Sequence, residues 1–224
     1  GVNFHLNAKV IEVGKEGVTI EKESKTARIE AEKVLVSVGR KANLSQVGLD
    51  KLNIELLRNG VKVDEHMQTS HPRVYACGDI TGHSMLAHTA IRESEVAVNH
   101  ILGVEDRMNY DCVPGVVYTN PEVAGVGKTE EELKASDISY HVQKLPMAYS
   151  GRFVAENELV NGLCKLILDD DDRVIGCHML GNPVSELIVL AGLAVQHGYT
   201  VEEFQKIVFP HPTVGEIFHE TLFA

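Results

Sequence analysis

The segment Phe209-Pro210-His211-Pro212-Thr213-Val214-Gly215-Glu216 holds the residues best suited to chemistry. Proline fixes its own φ and restrains the residue before it, so a histidine between two prolines sits in a stiff, extended stretch. The His211–Pro212 bond is a candidate cis peptide. Glu216 falls in the first turn of a predicted helix, so its carboxylate can fold back toward His211. A carboxylate beside an imidazole orients the ring, fixes its tautomer and stabilises the imidazolium, as a general base serving a thiol or hydroxyl requires. The same residues also read as purely structural. Thr213 to Glu216 has capping-box spacing, and His211 is then an ordinary residue ahead of a helix.

Two further patterns bear on binding. Val74-Tyr75-Ala76-Cys77-Gly78-Asp79 places Asp79 just past a short apolar run read as a buried strand. Ligands of open α/β sheets bind at that edge, where a carboxylate accepts hydrogen bonds from ribose or ribityl hydroxyls. A plain Gly-Asp turn is the alternative. Met85-Leu86-Ala87-His88 opens a predicted helix, whose free N–H groups and positive dipole end suit an anion or an electron-rich ring. The eleven histidines include no H-E-x-x-H, and His211 and His219 lack a third ligand, so no metal site is expected. A G-x-S-x-G elbow, a Walker A loop and a strand-linked G-x-G-x-x-G are all absent.

The elements that would position these residues follow from periodicity. Val10–Val13 and Val18–Ile20, separated by Gly14 and Gly17, predict a hairpin. Lys33–Val38 predicts a buried strand ending at Gly39-Arg40. Residues 85–102 predict a helix with Ala87, Ala90, Ile91, Ser94, Val98 and Ile101 on its apolar side. Past a junction near 103–114, residues 116–118, 139–148, 163–168 and 174–179 predict strands. Thr129 to Glu132 and Thr200 to Glu203 are capping boxes. Asn182-Pro183 predicts an N-cap and first helical residue for a helix carrying Val184, Leu187, Ile188, Ala191, Ala194 and Val195, stopped by Gly198.

Composition bounds the class. The 224 residues are 44% hydrophobic and 24% charged, which is a globular balance. Net charge is −2 over residues 1–111 and −9 over 112–224, a surface that repels phosphate backbones, so nucleic acid is a poor partner. No apolar run reaches membrane-span length and no export signal opens the chain, which together predict no membrane and a cytoplasmic protein. Cys77, Cys112, Cys164 and Cys177 form no C-x-x-C and are expected to be small buried hydrophobes. Gly1 opens directly beside a strand with no initiator Met, as if the chain began inside a larger fold.

In order and separation these motifs resemble the C-terminal half of the dihydrolipoamide dehydrogenases, flavoproteins of the pyridine nucleotide-disulfide oxidoreductase family. The likeness rests on Val34–Asn43 with its G-R-x-x-N ending, Val74–Asp79, Met85–His88, Pro114–Ala124, and His211-Pro212-Thr213 with Glu216. Glutathione and mercuric reductases share the layout, but M-L-A-H and Y-T-x-P-E-V-A favour the lipoamide enzymes.

The resemblance implies an α+β dimerisation domain, an antiparallel sheet with helices, preceded by partial α/β FAD/NAD-binding segments. It divides the chain into residues 1–40 of an NAD-binding domain, 41–111 of an FAD-binding domain and 112–224 for dimerisation. His211 becomes the catalytic base and Glu216 its orienting partner. Gly78, Asp79, Met85, Leu86, Ala87 and His88 become FAD-binding residues. The implied partners are a second subunit that shares the active site, the lipoamide of an E2 lipoyl domain, and a 2-oxo acid dehydrogenase complex, in the mitochondrial matrix if eukaryotic. The family's redox-active C-x-x-x-x-C and glycine-rich dinucleotide loops are missing, and the cysteines stand 35, 52 and 13 positions apart. The 224 residues alone are therefore expected to be inactive and to retain little FAD or NAD. The alternatives are a pure dimerisation module and a reductase of glutathione or mercuric type.

Overall fold

A computed structural model describes residues 1–45, 47–158 and 161–224. Its contacts divide the chain into two units, Gly1–Asn43 and Leu44–Ala224.

In the first unit the predicted hairpin forms from β1 (Lys9–Gly14) and β2 (Gly17–Lys22). Gly17 has φ +138°, and a Cβ there would lie 2.1 Å from the Ile29 carbonyl oxygen, so only glycine fits. A third antiparallel strand that the sequence pattern did not reveal, β3 (Lys25–Glu30), pairs with β2 in the order β1-β2-β3. Residues 33–38 are not a buried strand. Leu35 and Val38 are 91% and 89% exposed, and no described strand pairs with them. An apolar run becomes a strand only where a neighbour meets its N–H and C=O groups.

The second unit begins with short loops around two small apolar clusters. Ile54, Val61 and Ala76 form one, and Met67, Val96, Ala97 and Met108 the other. The expected strand at 74–77 is reduced to a single bridge between Gln68 and Tyr75. Helix α1 (Ala87–Ile101) lies where predicted but is turned about its axis. Its buried side carries Thr89, Glu93, Val96 and Ala97, whereas Ile91, Val98 and Ile101 of the expected face are more than half exposed. The helix is apolar on two sides, and periodicity alone does not say which side is covered.

The rest of this unit is the expected α+β fold. Strands β4 (Gly115–Val117), β5 (Val123–Gly127), β6 (His141–Pro146), β7 (Leu163–Leu168) and β8 (Val174–Leu180) make one antiparallel sheet in the order β4-β5-β8-β7-β6. Cross-strand neighbours Ala124 and Met179, Val126 and Cys177, and Leu166 and Cys177 fall into one core. Helix α4 (Val184–His197) packs on β5 and β8, and α6 (Glu216–Thr221) on β6 and β7. The shorter helices α2 (Glu130–Ala135) and α3 (Gly151–Glu156) flank β6 in sequence, and α5 (Val201–Gln205) follows α4. The capping boxes at Thr129 and Thr200 both form. Gly198 ends α4 at φ +63°.

Asn182 does not cap α4. Its Oδ1 accepts the Glu122 N–H at 2.9 Å and its Nδ2 donates to Asn120 Oδ1 at 2.9 Å. The cap comes from the β4–β5 connection instead, where Glu122 Oε2 accepts the Ser185 N–H at 3.0 Å. A tertiary carboxylate thus does what a local side chain was expected to do.

The covered and bare faces predict contrasting costs. Leu166 is fully buried at the sheet centre, so Leu166→Ala is expected to destabilise by about 2–5 kcal/mol in urea unfolding. Val189 on α4 is 64% exposed, so Val189→Ala is expected to cost less than about 0.5 kcal/mol in the isolated chain.

Candidate active site

Helix α6 delivers Glu216. Its inward residues Ile217, Phe218 and Thr221 are buried against the sheet, which leaves Glu216 at the rim in the first turn. The loop before it is pinned on both sides of His211. Phe209 packs on the core from one side, and Val214 enters it from the other. The buried Ser150 hydroxyl donates to the Thr213 carbonyl at 3.1 Å, and the Thr213 hydroxyl donates to the Pro210 carbonyl at 2.8 Å. His211–Pro212 is cis.

Within this frame Glu216 bridges two donors. His211 Nδ1 lies 2.8 Å from Oε1, and the Thr213 N–H donates to Oε2 at 2.8 Å. The expected third capping box is therefore only half present. The carboxylate takes the backbone N–H, but Gly215 is the N-cap and the Thr213 hydroxyl is spent on Pro210. The Thr213 N–H first, and the imidazole second, hold the Glu216 carboxyl below its ordinary pKa. An imidazole whose Nδ1–H is given to a carboxylate keeps its lone pair on Nε2. The His211 side chain is 82% exposed and that of Glu216 22%, so Nε2 faces outward with no partner among the described residues. With the ring oriented through Nδ1, Nε2 is free to take a proton from a group that reaches it from solvent.

The second group lies at residues 78–88. Gly78–Thr81 is a tight 3-10 turn with Gly78 buried at φ +78°. Close backbone approach fixes its far end, because a Cβ at Gly60 would lie 2.3 Å from the Thr81 carbonyl. Asp79 projects from this turn, exposed, and its carboxylate takes no hydrogen bond from the described residues. Helix α1 begins at Ala87 with no side-chain cap, so its first N–H groups lack local partners. An unpartnered carboxylate beside an open helix N-terminus fits a ligand that offers hydroxyls to one and an electron-rich ring edge to the other. Met85 and Leu86 are half-buried, and Ala87 and His88 are exposed. His88 Nε2 bonds the Pro114 carbonyl at 2.8 Å, which ties α1 to the start of β4. No hydrogen bond or ion pair among the described residues joins this group to the His211–Glu216 pair.

Two residues escaped the sequence reading. Glu93 is completely buried in α1, and Tyr110 donates to its Oε1 at 2.6 Å. Burial first, and the neighbouring carboxylate second, push the Tyr110 hydroxyl well above its usual pKa. The available signal was the stripe Thr89, Glu93, Val96 and Ala97 at helical spacing, in which a lone acid marks a buried polar contact. All four cysteines are free. Cys164 and Cys177 are buried on the neighbouring strands β7 and β8, while Cys77 and Cys112 are only half-buried. No group that could hold a metal ion exists among the described residues.

Residues 1–94 match the family model described as pyridine nucleotide-disulphide oxidoreductase, and residues 113–222 match its dimerisation domain. Mitochondrial dihydrolipoyl dehydrogenases of Caenorhabditis elegans and Homo sapiens are each 38% identical over the whole chain. The chain spans 47% and 46% of their lengths, about half of the curated relatives it matches. Among solved structures, LpdA from Mycobacterium tuberculosis superposes with a TM-score of 0.83 at 27% identity, over 97% of this chain and 48% of that one. The flavoprotein disulfide reductase RclA from Escherichia coli shares the fold, with a TM-score of 0.78 at 23% identity, over 97% of this chain and 51% of its own. With two models of one family matching in succession over most of the sequence, the chain belongs to the pyridine nucleotide-disulphide oxidoreductase family.

Proposed function

We propose that this chain is the C-terminal half of a flavin-dependent dihydrolipoamide dehydrogenase, with residues 1–40 from its NAD-binding domain, 41–111 from its FAD-binding domain and 112–224 its dimerisation domain. The observation that carries the reading is the His211–Glu216 pair, with Nδ1 engaged at 2.8 Å and Nε2 open to the outside. His211 Nε2 takes the proton of a dihydrolipoamide thiol. The resulting thiolate, a far better nucleophile than the thiol, attacks one sulfur of a redox disulfide carried by the other subunit, forming a mixed disulfide as that S–S bond breaks and its second sulfur leaves as a thiolate. Glu216 holds the imidazolium that forms and keeps the ring in place. Bound FAD supplies the two-electron relay between the reduced dithiol and NAD. Asp79 would accept hydrogen bonds from the ribityl hydroxyls of a bound FAD, and Met85 to His88, which lead into the first turn of α1, would line its pyrimidine edge.

The bare apolar surfaces support a larger assembly. Residues 34–38 and the outer stripe of α1 (Ile91, Val98, Ile101) are exposed, as pieces of a wider sheet and domain would be. The 224 residues lack the disulfide and the glycine-rich loops, so alone they do not turn over and hold little FAD or NAD. The substrate is lipoamide on an E2 lipoyl domain of a 2-oxo acid dehydrogenase complex. The dimer shares its two active sites across an isologous interface. The protein works in the cytoplasm, or in the mitochondrial matrix if its source is eukaryotic, a reading that relatives named as mitochondrial support. No helix among the described residues is long and apolar enough to cross a membrane.

In the full-length protein His211→Gln is expected to cut lipoamide-dependent NAD reduction by about 10²–10⁴-fold with flavin content unchanged. Near-normal turnover would remove His211 from the mechanism. Faster reduction of glutathione disulfide or Hg²⁺ than of lipoamide would assign the fold to another substrate. The Glu216 contacts give a pH signature in the 224-residue chain. Its carboxyl is depressed on folding, so the stability it contributes is present above the ordinary carboxylate range and lost as pH falls through the depressed value. Urea midpoints of wild type and Glu216→Gln are therefore expected to differ above about pH 5 and to converge in acid.

A further inference from the structure

We propose that Glu93 is the positioning residue of the flavin turn, and that through Tyr110 it locks that turn to the entry of the dimerisation domain. This rests on the flavoprotein reading of Asp79. Glu93 is the one charged side chain buried among the described residues, and no cation pairs with it. Burying a carboxylate is tolerated only when donors satisfy its oxygens. Both oxygens are used. The Gly78 N–H donates to Oε2 at 2.5 Å, and the Tyr110 hydroxyl donates to Oε1 at 2.6 Å.

The Gly78 bond has a local reason. Gly78 opens the 3-10 turn, whose own N-cap, Cys77, offers no side-chain acceptor. The first N–H of the turn would otherwise be buried without a partner. Glu93 reaches over from the middle of α1 to supply it. The turn also lies against α1, since a Cβ at Gly78 would come within 3.2 Å of the Ala90 Cβ. Asp79 follows directly, so the backbone direction that aims its free carboxylate is set by the Glu93–Gly78 bond.

Tyr110 extends the link. It begins the short turn Tyr110–Cys112 that leads into β4, and its ring stacks on His83 with centroids 5.2 Å apart. One carboxylate thus meets the residue before Asp79 on one side and the approach to the sheet domain on the other. A neutral amide reproduces this pattern. The Gln oxygen accepts from Gly78, and its NH₂ donates to the phenol oxygen, which has lone pairs to receive it.

The test uses full-length protein carrying Glu93→Gln, Glu93→Leu, Glu93→Asp, Tyr110→Phe or Asp79→Ala. The readouts are the FAD dissociation constant from flavin fluorescence, and hydrogen exchange at the Gly78 amide in the apoprotein. Glu93→Leu is expected to weaken FAD binding about 10–100-fold and to release Gly78 protection while the other α1 amides keep theirs. Glu93→Gln is expected to stay within about threefold of wild type, and Tyr110→Phe to weaken binding about 3–10-fold. A purely structural role would instead lower protection along the whole helix. Folded Glu93→Leu with unchanged FAD affinity or unchanged Gly78 exchange overturns the proposal. If Glu93→Leu does not fold, Glu93→Asp decides by the same criteria, because it keeps the charge but is too short to meet both donors. Unchanged behaviour of Tyr110→Phe overturns the link to the sheet domain. Wild-type FAD affinity of Asp79→Ala would instead defeat the flavin reading of the turn, and Gly78 exchange would still report on Glu93.

Discussion

Burial of α6 against β6 and β7 is the constraint on which the geometry of the His211–Glu216 pair depends. Ile217, Phe218 and Leu222 are almost fully buried there. Each fully buried side chain of this size contributes about 1.5–3 kcal/mol. Glu216 precedes the first of them, so its position is set by packing and not by its own weak contacts. A rim carboxylate placed this way meets His211 with little freedom left to lose. The stiff Pro210-His211-Pro212 backbone and the Ser150–Thr213 bond do the same for its partner. The loop that carries His211 therefore has its conformational entropy removed by the core behind it.

A different rule governs residues 54–110. Their apolar clusters are small, and the segment before α1 forms isolated bridges and no continuous strand. Order there comes from paired polar groups, from close backbone approach at Gly60 and Gly82, and from Gly78 lying against the Ala90 side chain. Asp106 illustrates this. Arg92 grips it through both nitrogens and Asn99 adds a third bond, lowering its pKa to about 2. The two regions meet at short range through His88 and Pro114. A sheet domain stabilised by area and a loop region stabilised by specific hydrogen bonds respond differently to perturbation, because a lost methylene is graded and an unsatisfied buried donor is not.

Much of the sheet domain was legible in the sequence. The strands at 163–168 and 174–180, both complete capping boxes and the Gly198 stop are local signals that the tertiary structure leaves in force. The His211–Glu216 contact was readable because proline stiffness and a five-residue separation leave few other arrangements. What could not be read depends on neighbours distant in sequence. Residues 33–38 have strand composition but no strand beside them. Asn182 has cap chemistry but is recruited by Glu122 and Asn120 from the other side of the fold. Helix α1 carries two apolar stripes, and the stripe containing an acid is the covered one, which inverts the usual weighting of polar residues. Glu93 was passed over for the same reason, since nothing local shows that Gly78 needs an acceptor.

The outer stripe of α1 has a consequence for the behaviour of the polypeptide in solution. Ile91, Val98, Ile101 and Leu102 present adjoining apolar surface to water, and residues 34–38 add more. Such patches draw molecules together. The net charge of −11 opposes that attraction. Charge repulsion reaches only about 8 Å at physiological salt, whereas apolar attraction is not screened. Colloidal stability of the 224 residues is thus a contest that ionic strength decides, with low salt keeping the molecules apart and high salt letting the bare helix face find another like itself.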